Sequence, residues 1–205
     1  MLRLTLASAS PRRRELLARL GLPFDVVPSA VEETLAHDAP IAAQAAALAL
    51  AKARDVAVRL GHGLVLGADT LVVLDGRPFG KPGSRQEARR MLLALGGRSH
   101  EVVTGVAVVD AAARREATEA VVSRVVMRAY TPAEVDAYVA TPEPYDKAGA
   151  YAVQGEGGRL VVRVEGCYTN VIGLPLTTTA RLLRAFGLEP ATAPAASDPG
   201  PPGPR

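Results

Sequence analysis

Only one cysteine, Cys167, occurs in the chain, so no intramolecular disulfide can form, and a lone thiol without a marked histidine partner gives no nucleophile signal. Cys167 is expected to be a core residue. Tryptophan is absent and aromatics make up 4% of the residues, which leaves little material for stacking on single-stranded bases. A formal net charge of +3 does not argue for a polyanionic partner by itself, and no nucleic acid is expected. Long apolar runs are missing as well. The start Met-Leu-Arg-Leu-Thr-Leu turns polar at Ser8 and Ser10 before a signal-peptide core can form, and no stretch approaches the ~20 residues of a membrane span. The chain therefore reads as cytoplasmic, without a membrane partner.

Lysine is scarce in a telling way. Of 24 basic residues, 21 are Arg, and only Lys52, Lys81 and Lys147 are Lys. A compact ammonium that approaches a phosphate oxygen as a point charge is not interchangeable with a guanidinium fork, so these three positions stand out. No Gly-rich Walker pattern ending in Lys-Ser/Thr occurs, and no Gly-x-Gly-x-x-Gly opens a helix, which removes support from kinase and dinucleotide readings. The histidines His37, His62 and His100 share no zinc-ligand spacing; His100 is expected to be structural or exposed.

What is present is enough apolar residue, 48% of 205, to fill a core for one domain or two lobes sharing a sheet. Leu2, Leu4 and Leu6 alternate as a first strand, and Pro11 to Leu20 follows as a helix closed by Gly21. Phe24 to Val27 is a short strand, and an Ala-rich helix runs from about Pro40 to Leu60. Two apolar runs, Leu64 to Leu66 and Leu71 to Leu74, flank the polar Gly67-Ala68-Asp69-Thr70, and Asp75-Gly76 signals a hairpin. Ser84 caps a helix to Leu95, Val102 to Val109 and Glu119 to Met127 form an antiparallel pair, and Thr131-Pro132 opens another helix. A Pro- and Gly-punctuated loop, 141–158, is long enough to carry function. It leads to a strand at Leu160 to Val164 and a last helix at Thr177 to Phe186. The order predicts an α/β fold with a mixed central sheet flanked by helices. Residues 1–189 form the domain, and 190–205, rich in Pro, Ala and Gly, form a tail expected to be disordered.

Ser10 followed by Pro11 places an N-cap and an N1 proline, so Arg12, Arg13 and Arg14 fall in the first helical turn. The helix dipole makes this the wrong end for cations, each costing on the order of 0.3–1 kcal/mol if uncompensated. A phosphate chain would satisfy the orphan N–H groups, the dipole, the guanidinium forks and the Ser8 and Ser10 hydroxyls together. Glu32-Glu33 and Asp69, the latter at a strand end beside small residues, suit holding a divalent ion or activating water. Carboxylates clustered with lysines describe a phosphoryl-transfer site.

Together these motifs resemble the Maf family of nucleotide pyrophosphatases. The resemblance runs through Ala7-Ser8-Ala9-Ser10-Pro11-Arg12-Arg13, Glu32-Glu33, Lys52-Ala53, Gly67-Ala68-Asp69-Thr70 and Lys81-Pro82, and continues through His100 to Gly105, Glu143 to Gly155 and Glu165 to Leu176. It implies a two-lobed α/β fold like that of inosine triphosphate pyrophosphatases, with the nucleotide in a cleft, a homodimer, and a requirement for Mg2+ or Mn2+. It also implies hydrolysis of a nucleoside triphosphate to monophosphate and pyrophosphate, a house-cleaning activity linked to cell division. By position, Asp69 matches the proton acceptor, Glu33 and Asp69 the metal-binding acids, and Ser8, Arg13, Lys52 and Lys81 the phosphate cluster. Arg12, Thr70 and Gln154 match the specificity positions of the subgroup that prefers dTTP and UTP. One amide at Gln154 can both donate to and accept from a pyrimidine edge. Lys147 is expected as a further cleft residue, and Arg14 as surface charge.

Overall fold

Residues 3–32 and 39–191 are described by the computed structural model of the chain; Glu33, His37 and almost all of the expected tail lie outside the described residues. The elements follow in the order β1 (Leu4–Leu6), α1 (Pro11–Ala18), β2 (Phe24–Val26), α2 (Ile41–Leu60), β3 (Leu64–Leu74) and β4 (Arg77–Phe79). Then come α3 (Arg85–Leu95), β5 (Ser99–Asp110), β6 (Arg115–Met127), α4 (Pro132–Tyr138), β7 (Val161–Glu165), α5 (Tyr168–Ile172) and α6 (Leu176–Ala185). No helix among the described residues is long and apolar enough to cross a membrane.

The strands hydrogen-bond in the order β2-β1-β3-β5-β6-β7, with β4 added to β3. β1 pairs parallel with both β2 and β3, as βα connections require. β4 and β7 pair antiparallel with β3 and β6, so the sheet is mixed, as the sequence predicts. The Asp75-Gly76 turn joins β3 to β4 with both residues at positive φ, 50° and 73°, the conformation that matches the twist of a two-residue hairpin.

One sequence expectation is corrected here. Gly67-Ala68-Asp69-Thr70 does not separate two strands; β3 is continuous from Leu64 to Leu74, and Asp69 sits inside it. The small residues admit a helix instead of breaking a strand. A Cβ at Gly67 would lie 2.2 Å from the Ala49 carbonyl oxygen, and one at Gly105 on β5 would lie 2.1 Å from that of Ala45. Two glycines thus let the α2 backbone rest directly on the sheet. Replacing Gly105 with Ala forces a methyl against helix backbone that has no rotamer to yield, and is expected to destabilise the protein by about 3 kcal/mol, read as a lower urea midpoint at unchanged m-value.

Residue contacts divide the chain into two compact units. The first comprises the described residues up to Thr70, Thr104–Val121, and those from Gly173 onward; the second comprises Leu71–Val103 and Val122–Ile172. In the first, Ala49, Ala53, Val56 and Ala57 of α2 pack with Ala7, Val65, Ala107 and Val109. That core is made of small side chains because the helix lies so near. Its other helices carry their own signals: Ser10 caps α1, whose Leu16 and Leu17 are buried, while Arg14 is exposed as expected.

In the second unit, α3 is capped by Ser84 and α4 by a reciprocal Thr131–Glu134 box. Cys167, expected in the core, is only half-buried. Its backbone is clamped to the hydroxyl of Ser123, which accepts from Cys167 N–H and donates to its carbonyl, both at 3.0 Å, so the position follows a backbone turn at Gly166 and not apolar packing.

His100 is buried, at 3% exposure, and its Nε2 lies 2.7 Å from the Tyr151 hydroxyl, while Nδ1 has no hydrogen-bond partner. Burial holds its pKa down to about 4 from an ordinary 6.5. Between those values the unfolded chain binds a proton that the folded chain refuses. The stabilisation is therefore complete above pH 6.5 and is lost as pH falls toward 4, about 3 kcal/mol in all. Urea midpoints measured from pH 7.5 to 4.5 should show this loss in the parent protein and a flatter profile in His100→Gln.

Candidate active site

Ser10 takes extended backbone angles and its hydroxyl accepts from the Arg13 N–H at 3.4 Å, with Pro11 at the first helical position. The α1 start is thus built as the sequence predicts, and no acidic residue stands in its first turn. The Arg13 side chain, however, folds back into its own unit. Its Nε donates to the Gly173 carbonyl at 2.9 Å, one terminal nitrogen to Ser8 Oγ at 3.4 Å, and the other to Thr70 Oγ1 at 3.1 Å. Thr70 Oγ1 is also 2.9 Å from Thr104 Oγ1. A guanidinium fork offers five donors in fixed directions, so three such acceptors set its plane.

Ser8 is buried. Its oxygen accepts from Arg13 and, at 3.2 Å, from the Ser10 N–H, which directs the hydroxyl proton away from both donors. Arg12, the neighbour of Arg13, is half-buried.

Lys52 on α2 and Asp69 on β3 are both buried, at 7% and 3% exposure, and form an ion pair of 2.6 Å between Nζ and Oδ1. The pairing follows from the glycine contact: Ala49, over Gly67, precedes Lys52 by one helical turn, and Gly67 and Asp69 share a face of β3. Buried ion pairs seldom add net stability, because desolvating two charges offsets their attraction. A buried pair retained at that cost marks a candidate functional site. Six of the residues predicted from sequence, Ser8, Arg12, Arg13, Lys52, Asp69 and Thr70, belong to the first unit; Arg13 joins Ser8 and Thr70 in one network, and Lys52 and Asp69 form a second.

Among the described residues no group of three or more His, Cys, Asp and Glu could hold a metal ion. Mg2+ is commonly held by one or two carboxylates together with substrate phosphates, without a full protein cage. A single buried aspartate such as Asp69 fits that chemistry.

Lys81, Lys147 and Gln154 belong to the second unit. Lys81 is exposed and follows β4; the Gly80 carbonyl before it accepts from the Gly149 N–H at 3.1 Å, which fastens the Lys81 turn to the loop carrying Lys147. The Lys147 ammonium is turned inward to the Glu143 carbonyl at 2.7 Å and to Asp146 Oδ1 at 2.5 Å. Gln154 is exposed.

Sequence reasoning did not single out three residues of these networks: Thr104, Gly173 and Glu143. For Thr104 the available signal was the neighbouring Gly105 in an otherwise apolar strand, which marks a close approach; for Glu143 it was a carboxylate opening a Gly-rich loop.

A capped helix start after β1 and a buried lysine–aspartate pair, on a mixed sheet flanked by helices, describe an α/β protein with a candidate site in its first unit. Residues 3–186 match the family model described as Maf-like protein, and the chain belongs to that family. Among its relatives, a "dTTP/UTP pyrophosphatase" of Moorella thermoacetica is 56% identical over 189 residues, covering 92% of this chain and 97% of the relative. Proteins of the same name from Pelotomaculum thermopropionicum and Gloeobacter violaceus are 48% and 50% identical, covering 91% and 90% of this chain and 98% and 96% of the relatives.

Proposed function

We propose that this chain is a nucleoside triphosphate pyrophosphatase that hydrolyses dTTP and UTP to the monophosphate and pyrophosphate. The observation that carries the reading is the buried Lys52–Asp69 pair in the same unit as the Ser8–Arg13 helix start; the names of the relatives supply the substrates.

The residue roles follow from what each group can do. The α1 N–H groups and the Ser8 hydroxyl bind phosphate oxygens, and Arg13 adds its charge while holding Ser8 and Thr70 in place. Asp69 accepts the proton of the water that attacks phosphorus, so that one P–O bond forms as the α–β bridge breaks, and Lys52 fixes the carboxylate's position. Asp69 and Glu33 would hold a divalent cation, Mg2+ or Mn2+, which when bound neutralises charge on the phosphate oxygens. Lys81 is assigned to the phosphates, and Arg12, Thr70 and Gln154 to substrate choice. Lys147 holds its loop by the two bonds above and is a less direct contributor. A homodimer and a cytoplasmic location complete the reading.

Incubation of the purified protein with a nucleotide panel and Mn2+ tests it. Preferential release of pyrophosphate from dTTP and UTP is expected; release of orthophosphate, or equal rates on purine nucleotides, would overturn the bond or the substrate assigned.

A further inference from the structure

Gln154 stands on an exposed turn whose flanking residues are held within the second unit. Ala152 and Val153 before it are buried, at 8% and 4% exposure, and Gly155 after it has φ of 92°. The turn closes on one carboxylate. Glu143 accepts from the Gly157 N–H at 2.8 Å, the Glu156 N–H at 3.1 Å and the Tyr138 hydroxyl at 2.8 Å.

The glycines sit close against the carboxylate and its neighbours. A Cβ at Gly155 would lie 2.4 Å from a Glu143 carboxylate oxygen, and one at Gly157 would lie 2.5 Å from the Tyr138 hydroxyl and 2.7 Å from the Ala152 carbonyl. Lys147 meanwhile donates to the Glu143 carbonyl, fixing the backbone from which the carboxylate projects. Burial alone would raise the Glu143 pKa, but donation from Gly157, then Tyr138, then Glu156, holds it below the ordinary carboxylate range. It is an anion in the working pH range, and each of its bonds is charge-assisted.

We infer that Glu143 is a positioning residue for substrate choice: its carboxylate gathers the two N–H groups after Gly155 and so fixes the turn that presents Gln154. The inference rests on the assignment of Gln154 to the nucleotide base. A neutral amide at 143 offers one acceptor oxygen where the carboxylate offers two, and its NH2 would oppose the backbone donors. The turn then loses at least one bond, and the amide of Gln154 is no longer held for an in-plane pair of hydrogen bonds.

The test is a cycle of four full-length proteins, the parent, Glu143→Gln, Gln154→Ala and the double variant, with kcat and KM measured for dTTP and dGTP under Mn2+. Gln154→Ala is expected to lower the dTTP:dGTP ratio of kcat/KM by about 10-fold or more, the scale of a lost base-edge bond. Glu143→Gln should lower it by a similar factor through KM for dTTP, with kcat little changed, and the double variant should match Gln154→Ala alone. An unchanged ratio in Glu143→Gln beside a collapsed ratio in Gln154→Ala would overturn the inference and leave the Gln154 assignment standing. So would effects that multiply in the double variant. An unchanged ratio in Gln154→Ala itself would instead overturn the assignment on which the inference rests. Should Glu143→Gln fail to fold, Gly155→Ala perturbs the same contact from the other side, and the same ratio decides.

Discussion

Turnover of dTTP is expected to fall by about 1,000-fold when Asp69 is replaced by Asn, within the range that general base catalysis supplies, while KM should change by less than about threefold. The asymmetry is the informative part. Asn keeps the shape of the side chain and an oxygen that can accept from Lys52 Nζ, now 2.6 Å from the carboxylate, but it cannot take a proton from water. Binding through the α1 start should therefore survive. Initial rates over a concentration series check this, together with nucleotide binding by calorimetry; undiminished kcat would remove Asp69 from the chemistry.

Lys52→Met carries the second large effect, and its first readout is stability. The change leaves Asp69, 3% exposed, as a buried carboxylate without its ammonium, and removal of one partner of a buried pair costs about 3–5 kcal/mol. Adding Asp69→Asn takes away the stranded charge and should recover most of that loss, although the double variant stays inactive. Chemical denaturation of both single variants and the double resolves the coupling. Additive losses would mean that the two side chains do not stabilise one another, and the pair would lose its central place in the site.

Local chemistry made much of the fold legible. A Ser-Pro helix start, an Asp-Gly hairpin and a Thr-Pro capping box each involve neighbours a few residues apart, so the sequence specifies them directly, and α1, the β3–β4 turn and α4 stand where expected. Asp69 stood out in the sequence as a candidate, but not as the middle of a strand. Gly67-Ala68 looks like a break when read along the chain, yet the reason for these small residues lies across the core, in the backbone of α2. The same distance hid the setting of Arg13, whose acceptors Gly173 and Thr70 lie 160 and 57 residues away in sequence; no periodicity connects them. Cys167 was misplaced because a free cysteine is usually an apolar core residue, whereas here the backbone on either side decides its depth.

The close seat of α2 on Gly67 and Gly105 has a consequence for how the molecule could be tuned. The gap between helix and sheet acts as a shim of zero thickness, and the reach of the Lys52 ammonium to Asp69 is cut to that gap. A methyl inserted at either glycine would thicken the shim and draw ammonium and carboxylate apart, although neither glycine has a functional group. The spacing of the Lys52–Asp69 pair is thus written partly in hydrogen atoms, at two positions that a survey confined to polar side chains would pass over.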